Sequence, residues 1–292
     1  ILYCLIMMLI MKSAELYQQL EKDFITKEMS DDWAPHMSAV ADFLCDNFKQ
    51  RSMGLVCDFA TEINRVYTAV FPSDMVLTKI INDNVTDALL FVHHPSIWDI
   101  RSAEIFKQMN VDLLGKLKER HVAIYNLHVP LDNYGEYSTS VTLARVLGIK
   151  IEKAFAPYYG AMAGVIGRID LVNIDDLRQK FETVIGHQVG FYPYGDKIIK
   201  NNLMAIVAGG GNEINILEEV IKEGVNTFVT GITVKNTYSQ AIHKFAEKQQ
   251  INILGGTHYS TEKFACLAMV DYFKKLGLSA EYVVDEPMVE DV

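Results

Sequence analysis

The chain has 292 residues, half of them apolar and 22% charged, with 18 Gly and 7 Pro, proportions that exclude a disordered or collagen-like chain. Acidic residues outnumber basic ones by 37 to 27, for a formal charge of −10. With no Lys/Arg-rich block, that balance argues against a phosphate-backbone footprint on nucleic acid and favours a small ligand or a protein partner. The four cysteines, Cys4, Cys45, Cys57 and Cys266, are scattered without a CxxC pair, so neither a disulfide framework nor a thiolate zinc site is indicated and a reducing, cytoplasmic setting is expected.

Residues 1–10, ILYCLIMMLI, are apolar but half as long as the roughly 20 residues a spanning helix needs, and they lack a basic n-region and a small-residue cleavage site. They are expected to be a non-native or wrongly assigned leader, with Met11 as the start, the rival reading being a short hydrophobic tail. Leu16, Leu20 and Phe24, spaced by four after Ser13 as N-cap, predict a helix over 13–24, and the stripe of Val40, Phe43, Leu44 and Phe48 predicts a second over 37–49, stopped by Gly54. Strands and helices then alternate. Strands are expected at 66–71, 88–92 and 122–127, and helices from Ser73 to about 82, over 104–119 and over 138–148. A strand at 162–168 precedes a helix over 174–185 with Asn173 as cap and Gly186 just past its end. The later strands fall at 204–208, 227–230 and 251–254, and the later helices at 212–223, 237–249 and about 260–276. This alternation specifies an α/β fold with largely parallel sheets. At this length two lobes of roughly 100–150 residues or one large α/β domain are expected; as two lobes they fall at approximately 11–150 and 151–276, followed by a C-terminal tail over 277–292.

Ligands in open α/β sheets collect beyond the carboxyl ends of strands, and the residues after the apolar runs are coherent. ALLFV is followed by His93 and His94, VAIYNL by His128 and then Asp132, and INIL by His258 and then Glu262. Imidazoles and carboxylates together suit a first-row divalent metal. His258 and Glu262, four apart at a helix start, project from one face if the helix includes position 258. His93 and His94 are adjacent, so both can serve one site only if the strand ends there, which Pro95 favours. Five or more ligands exceed the need of one tetrahedral zinc, whereas two ions sharing a carboxylate would use them all and activate a water near neutral pH. The Gly209-Gly210-Gly211 turn lacks a Walker lysine and the dinucleotide spacing, and tight strand-to-helix packing is its expected role. His36, His121, His187 and His243 have no partner at metal-ligand spacing.

These segments carry a resemblance. LLFVHHP at 89–95, LHVPLD at 127–132, AGGG at 208–211, and TG at 230–231 followed by GGTHYSTE at 255–262 resemble, in order and spacing, the Nif-three-like family, also catalogued as GTP cyclohydrolase I type-two homologues. The likeness runs from about residue 55 to 276 and implies two α/β lobes with a dinuclear metal site between them and assembly as a ring-like homohexamer. It implies His93, His94, Asp132, His258 and Glu262 as metal ligands, with Glu262 bridging, and His128 beside the metals or in proton transfer. The family usually has Thr-Asn where this chain has Val129-Pro130, commonly Gly where Thr257 stands, and often an acidic residue at Ile232. The long middle insertion of some members is missing, which makes this the short form. The expected function is a metal-dependent hydrolase using two divalent ions (Zn, Fe, Mn, Ni or Co), with GTP as the substrate the family label implies. The alternative is a non-catalytic hexameric metal-binding scaffold or regulatory interaction protein.

Overall fold

The computed structural model describes residues 10–98, 106–286 and 289–292. The expected leader, apart from Ile10, lies outside the described residues, as do positions 104–105 of the helix expected over 104–119; that helix begins later than expected, as Val111–Glu119 capped by Asn110, because Phe106–Lys107 pairs as a strand with Ile97–Trp98. Among the described residues, no helix is long and apolar enough to cross a membrane. The chain forms a mixed α/β fold that divides into two compact units, Ile1–Pro130 with Cys266–Asp285 and Leu131–Ala265 with Glu286–Val292.

The first unit is built on a five-stranded sheet in the order Ser279–Tyr282, Arg65–Ala69, Ala88–Val92, Val122–Asn126, Gly54–Cys57. Its first four strands are parallel, and only Gly54–Cys57 runs antiparallel at the edge. Continuous burial of ALLFV and VAIYN reflects apolar cover on both faces, as a parallel sheet requires. Ala88, Leu90 and Val92 face a core with Leu114, Leu117 and Phe48, while Phe91 on the opposite face meets Phe273 edge-on at 5.6 Å. Caps fix the flanking helices: Ser73 Oγ accepts from Val76 N at 3.2 Å, and Asn110 Oδ1 accepts from Asp112 N and Leu113 N.

The second unit is built on a six-stranded sheet in the order Gly190–Tyr192, Asn252–Gly255, Thr227–Thr230, Leu203–Ile206, Ala161–Arg168, Lys150–Tyr158. Here the expectation of a largely parallel sheet is corrected, because only the two pairings made by Thr227–Thr230 are parallel and the other three are antiparallel. One antiparallel pairing is a hairpin, Lys150–Tyr158 with Ala161–Arg168, turned at Gly160 with a positive φ of 84°, and another is made at the opposite edge by the short strand Gly190–Tyr192. Side chains alternate between two cores: Ile206, Val229 and Leu254 lie in one with Phe181, and Ala205, Phe228 and Ile253 in the other with Leu217.

Two further helices differ from expectation. Ser13 is the first helical residue rather than the cap, its N–H donating to Thr61 O at 3.0 Å. The stretch 37–49 is a 3-10 turn, Ser38–Phe43, then an extended Leu44 and Cys45, then a short helix, Asp46–Arg51. Cys45 N–H donates to Val56 O at 2.9 Å, a bond to the neighbouring strand that outcompetes continuation of the helix.

Candidate metal centre

In the first unit the ladder carries the donors past the formal end of Ala88–Val92. His93 N–H donates to Ala69 O at 3.2 Å and His94 N–H to Val70 O at 2.9 Å, and the two rings meet with centroids 4.3 Å apart. The strand Ala88–Val92 ends just before this pair, where Pro95 follows, and the two imidazoles lie side by side. Asn126 Nδ2 donates to His93 O. His93 Nδ1 lies 3.0 Å from Leu127 O, and since a carbonyl only accepts, the proton sits on Nδ1 and the lone pair on Nε2. His94 stacks on Phe71 at 4.9 Å. His128 lies 5.4 Å from the His93 ring and 4.7 Å from the His94 ring, and His93, His94 and His128 offer one nitrogen each within 4.8 Å of one another. All three are buried.

Two residues outside the sequence expectation touch His128. Trp33 Nε1 lies 2.9 Å from its Nδ1, and Asp31 Oδ2 lies 3.0 Å from the same nitrogen, with the Asp31 side chain only 1% exposed. The polar stretch 26–32 gave no periodicity, and these contacts span more than 90 residues of chain, so no local signal marked them.

In the second unit His258 and Glu262 share one face of the helix His258–Lys275, with Nε2 and Oε1 at 3.2 Å and both side chains buried. The helix begins early enough because Thr257 caps it: Ser260 N donates to Thr257 Oγ1 at 3.0 Å while Thr257 N donates to Ser260 Oγ at 2.9 Å, a reciprocal cap. His258 N–H donates to Asp291 Oδ2 at 3.0 Å. Gly209, at φ +72°, presses its backbone against this pair, and a Cβ there would lie 2.2 Å from Glu262 Oε1 and 3.2 Å from His258 Nε2. The N–H groups of Gly209 and Gly211 are taken by Thr261 Oγ1 and Thr230 Oγ1, each at 3.0 Å. The glycine turn is therefore a packing device, as expected. Asp132 is buried in the same unit, its Oδ1 accepting from Thr139 Oγ1 at 2.7 Å.

Of the other histidines, His121 is exposed and pairs with Asp87 at 3.1 Å. His243 is buried, its Nε2 donating to Thr233 O at 2.7 Å and its Nδ1 lying 3.0 Å from Tyr194 Oη.

The donor set suits a divalent ion. Three imidazoles packed together, and a carboxylate buried against an imidazole, are costly to take out of water unless they are compensated, and neutral His with ionised carboxylate is the chemistry that transition metals take up. The class is therefore a mixed α/β protein with buried His, Asp and Glu groups that could hold metal ions. The profile of the family described as Duf34/NIF3 (NGG1p interacting factor 3) matches residues 40–286, and the chain belongs to that family. A relative from Borreliella burgdorferi named "GTP cyclohydrolase 1 type 2 homolog" is 28% identical over 213 residues, which are 73% of this chain and 79% of that protein. Among solved structures, the protein ybgI, described as of unknown function, superposes with a TM-score of 0.72 at 20% identity over 95% of this chain and 100% of its own. Reduced HcgD from Methanocaldococcus jannaschii gives 0.68 at 20% identity, over 95% and 99%. The fold is thereby that of these two solved structures.

Proposed function

We propose that the chain is a metal-dependent hydrolase in which His93, His94, Asp132, His258 and Glu262 would hold two divalent ions per chain and His128 would move a proton. The observation that carries the reading is the set of three buried histidines with nitrogens within 4.8 Å of one another. The buried His258–Glu262 pair and Asp132 complete the donor types. When bound, such ions polarise a carbonyl, amidine or phosphoryl oxygen and make water a stronger nucleophile.

The protein's own residues do the holding and aiming. Leu127 O keeps the His93 lone pair on Nε2, Thr139 orients the Asp132 carboxylate, and Gly209 shapes the wall against Glu262 and His258; such outer partners fix ligand orientation. His128, which is not needed as a ligand in this assignment, is the group for proton transfer. The ion identity is left to Zn, Fe, Mn, Ni or Co. The name of the relatives makes GTP the first substrate to try. A homohexameric assembly and a cytoplasmic location belong to the same reading.

Elemental analysis of protein purified without added metal, beside Glu262→Ala, tests it, followed by hydrolysis assays on GTP, other nucleotides, phosphoesters and cyclic amides. Two equivalents per chain that the variant loses, with metal-dependent turnover, are expected. Metal without turnover would replace the hydrolase with a metal-binding scaffold, and absence of metal in the parent would overturn the centre.

A further inference from the structure

The contacts at His128 Nδ1 conflict, and the conflict is informative. Trp33 Nε1–H reaches that nitrogen at 2.9 Å and an Asp31 carboxylate oxygen reaches it at 3.0 Å. An indole N–H only donates and a carboxylate only accepts, so the first contact needs a lone pair on Nδ1 and the second needs a proton there. One ring nitrogen has one or the other. A lone pair facing a carboxylate oxygen at that distance, with the Asp31 side chain only 1% exposed, is repulsive in surroundings that screen little. A protonated Nδ1 instead makes a charge-assisted bond, about twice as strong as the neutral bond from the indole, which it displaces. The carboxylate is also held in place, since its Oδ1 accepts from Asp32 N at 3.0 Å. The indole meets the imidazole edge-on, at 5.3 Å and 85°, and confines the ring plane.

We infer that Asp31 is a positioning residue for His128: its buried carboxylate accepts the hydrogen bond from Nδ1–H, fixes the tautomer and leaves the Nε2 lone pair as the proton acceptor of the site, with Trp33 holding the ring from its edge. This rests on the proton-transfer reading of His128 given above. A proton received on Nε2 places a positive charge on a ring whose other nitrogen already faces a carboxylate, so the acceptor and its counter-charge are built together. The assignment adds to the site a segment, residues 31–33, that precedes the family-matched region, which begins at residue 40.

The test is a long-range proton–nitrogen spectrum of ¹⁵N-histidine-labelled protein dialysed against zinc, with His128→Gln identifying the resonance. In the parent, His128 is expected to carry its proton on Nδ1 with Nε2 unprotonated. Asp31→Ala should move the proton to Nε2, the tautomer a free imidazole favours, and Asp31→Asn, whose amide oxygen still accepts, should restore Nδ1–H. An Nε2–H tautomer in the parent, or a spectrum that Asp31→Ala leaves unchanged, overturns the inference. Zinc titration of the same samples separates the two readings. Parent protein that takes up no zinc defeats the metal centre while the tautomer result stands on its own, and unchanged zinc affinity in Asp31→Ala is expected. A loss of about 10- to 100-fold, the usual effect of removing a partner behind a ligand, would make His128 a ligand and overturn its proton-transfer role.

Discussion

In the first unit the histidines stand where parallel strands run out, held by backbone bonds to Ala69, Val70 and Leu127, whereas in the second His258 and Glu262 ride on the first turns of a helix, held by a threonine cap and a glycine without a Cβ. The donors are of similar type but depend on different things. A strand-end donor is as secure as the sheet beneath it, so damage to it should come through the core. A helix-start donor is only as secure as a few side-chain bonds around it, and single polar or glycine substitutions should disturb it.

The largest effect expected is therefore in the first sheet. Leu90→Ala, at a fully buried position in the strand leading to His93, should cost about 2–5 kcal/mol in urea unfolding; a cost under a tenth of that would mean the sheet does not support its strand ends. Gly209→Ala comes next. It places a methyl group against Glu262 at a positive φ and should cost about 1–3 kcal/mol, together with lower zinc uptake; full uptake at parental stability would show that the glycine does not shape the donor pair. Thr257→Ala removes the cap on His258–Lys275 and should cost about 1 kcal/mol, read as a lower urea midpoint, with Thr257→Ser restoring it.

The smallest effect tests a histidine away from the donors. Burial holds His243 below its ordinary value of 6.5, with the neighbouring Lys235 charge adding to it. The unfolded chain therefore binds more protons than the folded one below that value, so stability is full above about pH 6.5 and declines as pH falls from there toward the lower folded value. Urea midpoints of parent and His243→Gln should diverge less as pH drops from 7 to 5. Parallel curves would show that the acid slope has another source.

How much of this was readable in the sequence follows from what each element needs. ALLFV and VAIYN were legible because burial on both faces makes a continuous apolar run, and the donors behind them stood out because polar residues end such runs abruptly. Lys150–Tyr158 was not recognised: it is an edge strand with Lys150, Glu152 and Lys153 and mixed exposure, so neither alternation nor a continuous run survives. Gly54–Cys57 is four residues long and begins with a glycine, which read as a stop. The cap role of Thr257 lay within the recognised GGTHYSTE segment, where Thr and Ser three apart are a helix-start signal. Asp31 and Trp33 could not be found, because their meaning lies in a contact with His128 that only folding creates.

The edge strand Ser279–Tyr282 pairs with Arg65–Ala69, although more than 200 residues of chain separate them. During synthesis from the N-terminus, the first unit therefore waits with an open sheet edge until residues 279–282 have left the ribosome, by which time nearly all of the second unit has already emerged. Exposed strand edges invite wrong pairing. A nascent chain halted near residue 265 would carry both groups of donors and every strand of the second sheet, yet leave Arg65–Ala69 unpaired on one side, and chaperone demand during translation should peak in that interval.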